Sequence, residues 1–292
     1  MLIIGENINA SSKKVAEAIG THNSSFLQGL ASAQVAADYL DVNVGRSIGS
    51  TEQEIEDMKW LIDTICKVTN KPIVVDSAIP EVIEAGLEQS MSLRGKRSNQ
   101  DVSVGTDTDN GHEIVAMVNS VNAEKARLEA IGPLVAKYQV EVIALAMDDS
   151  GIPPRVEERI GACDLILEGL SRYNIPTEKI YFDPLVLPIG VDTAQGQVTL
   201  RTLEQIKARY PKAKTVVGLS NISYGLPQRP IINDAFLSML MYAGIDSVIV
   251  NPLHSSTITS IKTGEMLLGR DAHCKGYLKA YRRGLFSNTL SF

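Results

Sequence analysis

Pro72-Ile73-Val74-Val75-Asp76-Ser77 is a short apolar run that stops abruptly at a carboxylate. Ile73, Val74 and Val75 are β-branched and nothing alternates among them, as in a parallel strand covered on both faces. Before the run, Thr51–Val68 carries Ile55, Met58, Leu61, Ile62 and Ile65 at intervals of three and four. That spacing is the single buried stripe of an amphipathic helix. Thr51, with Glu54 three positions on, reads as the capping box that starts it. After the run, Pro80–Ser90 opens on a proline suited to a first helical position. The unit is therefore helix, buried strand ending in a carboxylate, helix.

The unit repeats in both directions. Further apolar runs are Leu2–Ile4, Tyr39–Val42, Ile114–Val118, Glu141–Met147, Ile180–Phe182, Thr215–Gly218 and Ser247–Val250, eight with Pro72–Val75. Their starts recur at about the length of one βα unit, roughly 30 residues or more. Helical periods fill the intervals at Ala123–Tyr138, Val156–Tyr173, Leu200–Tyr210, Ile231–Ala243 and Ser256–Leu268. Alternation on this scale predicts an α/β chain folded as a (β/α)8 TIM barrel in one domain spanning residues 1–292. The competing doubly wound sheet is disfavoured, because no G-x-G-x-x-G follows the first strand. Ser92–Glu113 breaks the pattern: it is polar, rich in Gly, Ser, Asp and Asn, and reads as a surface insertion on the face away from the chemistry.

In such a barrel the site is built where the strands end. The first strand is followed by Glu6 and Asn9. The second contains Asp41 and leads to Asn43, the third ends in Asp76, and the fourth in Asn119. Asp148 follows the fifth, Asp183 the sixth, Asn221 the seventh and Asn251 the eighth. Asx residues also cap turns and helices, and that reading is preferred for Asp148 and Asn251. Asp76, Asn119 and Asp183 each end an apolar run with no polar neighbour before them, which favours a ligand. Carboxylates and carboxamides together suit a flat polar heterocycle: the former accept from an amino group and adjacent ring N–H, the latter match mixed edges.

Composition narrows the field. Lys plus Arg is 28 against 34 for Asp plus Glu, a net charge of −6, which argues against a nucleic-acid binder. Cys66, Cys163 and Cys274 are far apart and form no disulfide or zinc framework, as expected in a reducing cytoplasm. No apolar run reaches a membrane span, and Glu6 comes too early for a signal peptide. His22, His112, His254 and His273 are not clustered, so a metal site is not expected. Gly218-Leu219-Ser220-Asn221 is not a nucleophile elbow.

Met1-Leu2-Ile3-Ile4-Gly5-Glu6-Asn7-Ile8-Asn9, Leu40-Asp41-Val42-Asn43-Val44-Gly45, Val75-Asp76-Ser77, Val118-Asn119-Ser120, Asp183-Pro184-Leu185 and Gly218-Leu219-Ser220-Asn221-Ile222-Ser223 resemble the methyltetrahydrofolate:corrinoid methyltransferases. The resemblance runs in order over nearly the whole chain. That family belongs to the pterin-binding barrels, with dihydropteroate synthase and the folate module of cobalamin-dependent methionine synthase. It implies that Asp76, Asn119 and Asp183 grip the pterin, and that Asn221 hydrogen-bonds N5 and is the catalytic residue. Glu6, Asn9, Asp41, Asn43, Asp148 and Ser220 would line the floor or support it. It further implies tetrahydrofolate or 5-methyltetrahydrofolate as substrate, a corrinoid (cobalamin) supplied by a partner protein, no intrinsic metal, and a homodimer. The expected direction is methylcorrinoid to tetrahydrofolate, with the reverse transfer as the alternative. Dihydropteroate synthases carry Ser-Arg-Lys where Ser220-Asn221-Ile222 stands here, which sets that activity, like a non-catalytic pterin-binding role, further off.

Asp271-Ala272-His273-Cys274-Lys275-Gly276 matches D-x-H-x-x-G, the pattern by which corrinoid domains offer a histidine to cobalt. That pattern works at the head of a complete domain of about 100 residues or more. Sixteen residues follow Gly276, so the match is read as chance.

Overall fold

A computed structural model describes residues 1–45, 49–98 and 116–286, with residues 94–98 described by backbone alone. The strands are β1 (Leu2–Asn9), β2 (Tyr39–Asn43), β3 (Ile73–Asp76), β4 (Ala116–Val121), β5 (Glu141–Leu145), β6 (Ile180–Asp183), β7 (Lys214–Gly218) and β8 (Ser247–Val250). All pair in parallel with their sequence neighbours, and Leu2 to Gly5 of β1 pair with Ser247 to Val250 of β8, closing the barrel.

Helices α1 (Lys13–Gly20) and α2 (Ser24–Ala33) share the first crossover. Then come α3 (Thr51–Cys66), α4 (Pro80–Ser98), α5 (Lys125–Tyr138), α6 (Val156–Ser171), α7 (Gln195–Arg209), α8 (Arg229–Ala243), α9 (Ser255–Leu267) and a terminal α10 (Lys275–Arg282). The fold is the expected (β/α)8 barrel. Most of the core lies between the strands and this outer ring, with Leu61, Ile62 and Ile65 of α3 fully buried. Each such side chain contributes about 1.5–3 kcal/mol by leaving water.

Several local expectations need correction. The N-cap of α3 is Ser50, whose Oγ accepts from the Gln53 amide at 3.3 Å, so Thr51 is the first helical residue. Residues 92–98 are not loop, because α4 continues through Ser98; the remainder of the expected insertion, 99–113, lies outside the described residues. β4 is described from Ala116 and runs past Asn119 to Val121. β5 stops at Leu145, short of Asp148.

Inside the barrel, a second cluster comprises Ile4, Tyr39, Val74, Met117, Ile143, Tyr181 and Val216, with Leu2, Leu145 and Ile249 packed on it. Its lower end is polar but closed on itself. Glu141 accepts from Lys214 Nζ at 2.8 Å, from the Tyr181 hydroxyl at 3.1 Å and from the Tyr39 hydroxyl at 3.4 Å. The plug fixes the N-terminal end of the barrel.

Candidate functional site

Side chains on a strand alternate between faces, so two residues beyond each inner-core position the chain again faces inward. From Ile4, Tyr39, Val74, Met117 and Tyr181 that step reaches Glu6, Asp41, Asp76, Asn119 and Asp183. On the remaining strands it reaches Leu145, Gly218 and Asn251. Six residues of the polar rim read from the sequence, Glu6, Asp41, Asp76, Asn119, Asp183 and Asn251, thus lie at inward-facing positions of the upper barrel layer.

Two strands are irregular where they carry this layer. The β1–β2 register shifts between Gly5 and Ile8, around Glu6, and the β4–β5 register shifts between Asn119 and Val121. Such bulges re-aim a side chain beside a site. Gly5 is needed at the first one: a Cβ there would stand 2.2 Å from Oε1 of the buried Gln34.

The layer is internally bonded. Asn43 Nδ2 donates to Asp76 Oδ2 at 3.0 Å, and Asn119 Nδ2 donates to Asp41 Oδ1 at 3.2 Å. The Ser220 hydroxyl donates to Glu6 Oε2 at 3.4 Å. Asp183 accepts from the Leu185 amide at 2.8 Å. Among the described residues none of these four carboxyl groups has a salt bridge to a lysine or arginine. Burial therefore raises all of them. Glu6 is pushed up to about 7, against weaker opposition from Ser220 and Arg229. Asp183 is pushed up to about 7, with the Leu185 amide and Arg159 pulling the other way. Asp76 rises to about 6, restrained by Asn43. Asp41 lies well above the usual carboxylate range because it is buried and faces Asp76. Buried carboxyl groups shifted in this way and gathered in one layer are candidates for a ligand site.

Asn221 sits on a short 3-10 turn, Leu219–Ser223, directly after β7. It is exposed, and its side-chain amide makes no hydrogen bond among the described residues. It is an uncommitted polar group at the end of β7. Other rim residues are occupied locally. Asn9 accepts from the Ser11 amide at 2.9 Å, Asp148 accepts from the amide and hydroxyl of Ser150, and Asn251 accepts from the Leu253 amide at 3.0 Å. Asp148 is thus a turn former, as its position alone suggested, and not the pocket floor that the resemblance implies: β5 ends three residues earlier, and among the described residues no hydrogen bond joins it to the site.

Two arginines were missed from the sequence. Arg159 on α6 is fully buried and donates to the carbonyls of Pro153, Pro184 and Leu185 and to Gln195 Oε1, anchoring the segment after Asp183. Arg127 on α5 donates to the carbonyls of Ser77, Ala78 and Ser120, tying together the segments that follow Asp76 and Asn119. Arg159 had a legible signal, since it falls on the apolar stripe with Ile160, Cys163 and Ile166. Arg127 had none.

The D-x-H-x-x-G match has a local explanation. Asp271 accepts from the amides of Gly276 and Tyr277, each at 2.8 Å, capping the start of α10, and His273 is exposed. Among the described residues no group of three His, Cys, Asp or Glu could hold a metal ion, and no helix is long and apolar enough to cross a membrane.

Comparison with known proteins gives relatives along nearly the whole chain and solved structures of the same fold. Methylcorrinoid:tetrahydrofolate methyltransferase of Eubacterium limosum is 29% identical over 288 residues, 97% of each chain. Methionine synthase of Mycobacterium leprae is 30% identical over 287 residues, covering 89% of this chain but 21% of that protein. Dihydropteroate synthase from Stenotrophomonas maltophilia shares the fold with a TM-score of 0.66 at 18% identity, over 91% of this chain and 92% of that one. The profile described as pterin binding enzyme matches residues 7–251. With a closed barrel, an inward-facing carboxylate and carboxamide layer, and that match over most of its length, the chain belongs to the pterin binding enzymes.

Proposed function

We propose that the chain transfers a methyl group between a corrinoid, presented by a partner protein, and N5 of tetrahydrofolate, with methylcorrinoid as donor. The observation that carries this reading is the upper barrel layer itself: Asp76, Asn119 and Asp183 face inward, and the uncommitted Asn221 amide follows the end of β7. The name of the Eubacterium limosum relative supports both the chemistry and the direction. A single domain, a homodimer and a cytoplasmic setting are part of the same proposal, as the family resemblance of the sequence motifs implies.

Asp183 and Asp76 accept from the amino group and ring N–H of the pterin, and Asn119 pairs with its mixed edge. Ionised carboxylates give such bonds about 1.5–3 kcal/mol each. Held this way, N5 is presented at the upper end of the barrel. Its lone pair takes the methyl carbon in an in-line displacement, while the carbon–cobalt electron pair stays with the metal of the substrate corrinoid. The Asn221 carboxamide hydrogen-bonds N5 as its charge changes, and can do so as donor or acceptor. It cannot take the proton that N5 must then lose. Glu6, poised near neutrality and joined to Ser220 beside Asn221, receives it and releases it to solvent.

Methylcobalamin and cob(I)alamin absorb differently, so turnover is read directly from the visible spectrum with tetrahydrofolate as acceptor. Spectra left unchanged by enzyme that binds tetrahydrofolate would replace this reading with a non-catalytic pterin-binding role. Asn221→Ala should lower kcat more than it raises KM; a rise in KM alone would take Asn221 out of the chemistry.

A further inference from the structure

Beside the barrel mouth lies a cavity of about 290 Å³ whose lining includes Glu6, Ser220, Arg229, Asn233, Asn251 and His254. Glu6 is at its buried end and belongs to the upper barrel layer, so the cavity opens from the site. Arg229 and His254 are exposed, at its outer end.

Two features of the lining are not accounted for by the fold. Arg229 donates through Nε to the Ser223 hydroxyl at 3.1 Å and through Nη2 to the Ser220 carbonyl at 2.6 Å. Its guanidinium is thereby fixed in place, and although its charge reaches Glu6 at the buried end, it makes no salt bridge among the described residues. The side-chain oxygen of Asn233, one turn along α8, is buried without a hydrogen-bond donor. A fixed cation and a buried orphan acceptor together ask for a ligand that brings an anion and an N–H. The helix starts agree. α8 begins at Arg229, and α9 begins after His254 with no side chain capping its free amides, so both N-termini adjoin the cavity.

We propose that this cavity takes the tail of the folate: Arg229 pairs with a glutamate carboxylate and the Asn233 oxygen accepts from the amide N–H that joins glutamate to the aminobenzoyl ring. The proposal rests on the pterin reading and deepens it by naming a second anchor for the same substrate. It makes the pterin end a shape and edge match within the barrel, and the tail end a charge match outside it.

The test is titration calorimetry with three probes: tetrahydrofolate, a tail-less 6-methyltetrahydropterin, and p-aminobenzoylglutamate alone. Wild-type protein should bind tetrahydrofolate about tenfold or more tightly than the tail-less pterin. Arg229→Gln should remove most of that gap while leaving affinity for the tail-less pterin unchanged, and Asn233→Leu should narrow it. Unchanged binding of the tail-less pterin also shows that each variant is folded. Equal affinities in the wild type, or a gap that survives both substitutions, would overturn the proposal. So would an equal loss for both pterins, since Arg229 would then act only by holding the Ser220 carbonyl. Binding of p-aminobenzoylglutamate that disappears in Arg229→Gln would uphold the cavity even if the tail-less pterin failed to bind, an outcome that would instead count against the pterin reading.

Discussion

The two ends of the barrel interior carry similar residues and treat them in opposite ways. At the lower end Glu141 is surrounded by Lys214, Tyr181 and Tyr39, so its charge is met by a cation and two hydroxyl donors. At the upper end, among the described residues, Glu6, Asp41, Asp76 and Asp183 take hydrogen bonds only from amides and a hydroxyl, and Arg229, Arg127 and Arg159 act on them without a salt bridge. Leaving buried carboxylates without a bonded cation costs stability, and a protein that only needed a barrel would not concentrate them there. The lower cluster holds the fold closed. The upper one is an acceptor surface awaiting donors from a ligand. A pterin, whose recognition edge is an amino group and a ring N–H, supplies those donors.

Exchanging the consequences of substitution at the two ends would break this contrast. Asp183→Ala should lower tetrahydrofolate affinity about tenfold to a hundredfold, with little loss of thermal stability, because it removes a ligand acceptor that is costly in the empty protein. Lys214→Met should do the reverse. It strips the cation from Glu141 and should cost about 2 kcal/mol of stability, less than a fully buried pair because Lys214 is 40% exposed, while folate affinity below the melting range stays near wild type. Calorimetric titration and thermal unfolding on both variants decide the matter. A destabilised Asp183→Ala with normal affinity would make the upper layer structural.

Acidity sharpens the same point. Asp183 is pushed up to about 7 and Asp76 to about 6 by burial, so both lose charge on mild acidification. The pterin donors need the ionised forms. Affinity for tetrahydrofolate should therefore fall as pH drops below 7, approaching about tenfold per unit once Asp183 is mostly protonated. Affinity that stays flat between pH 8 and pH 5 would show that neither carboxylate receives the ligand. A rise on acidification would invert the assignment.

The sequence made the barrel and its rim legible for a physical reason. A strand buried on both faces is an unbroken apolar run, and a polar residue at its end has no packing role, so Asp76, Asn119 and Asp183 stood out. The structure adds that these positions share parity with Val74, Met117 and Tyr181 of the inner core. Asp148 was legible as a turn former, and only the resemblance drew it into the floor, because an Asx turn and a site residue look alike when the strand end is misjudged by a few positions. Arg127 was illegible, because two of its carbonyl partners lie about fifty residues away and the third, Ser120, is a backbone group seven residues back, which leaves no pattern of side chains. Ser50 was passed over for Thr51, two adjacent hydroxyl residues that either could cap a helix.

The smallest expected effect lies in the stability of the empty protein, and its sign follows from linkage. Glu6, Asp76 and Asp183 have folded-state values near 7, 6 and 7, raised by burial above those of an unfolded chain, and Asp41 is raised for the same reason and by facing Asp76. Between roughly pH 4 and pH 7 the folded state therefore holds more protons than the unfolded one. Its stability must decline as pH rises through that window and level off above it. Asp41→Asn removes the most buried of these charges while its side-chain oxygen can still accept from Asn119. The variant should melt above wild type at pH 8, by about 2–4 °C for each kcal/mol recovered in a chain of this size, and the gap should close towards pH 4. Added tetrahydrofolate should shrink the gap at pH 8, because the wild-type layer then has its donors. A gap that widened towards low pH would mean that Asp41 is charged and stabilising in the fold, and the two ends of the barrel would no longer differ in kind.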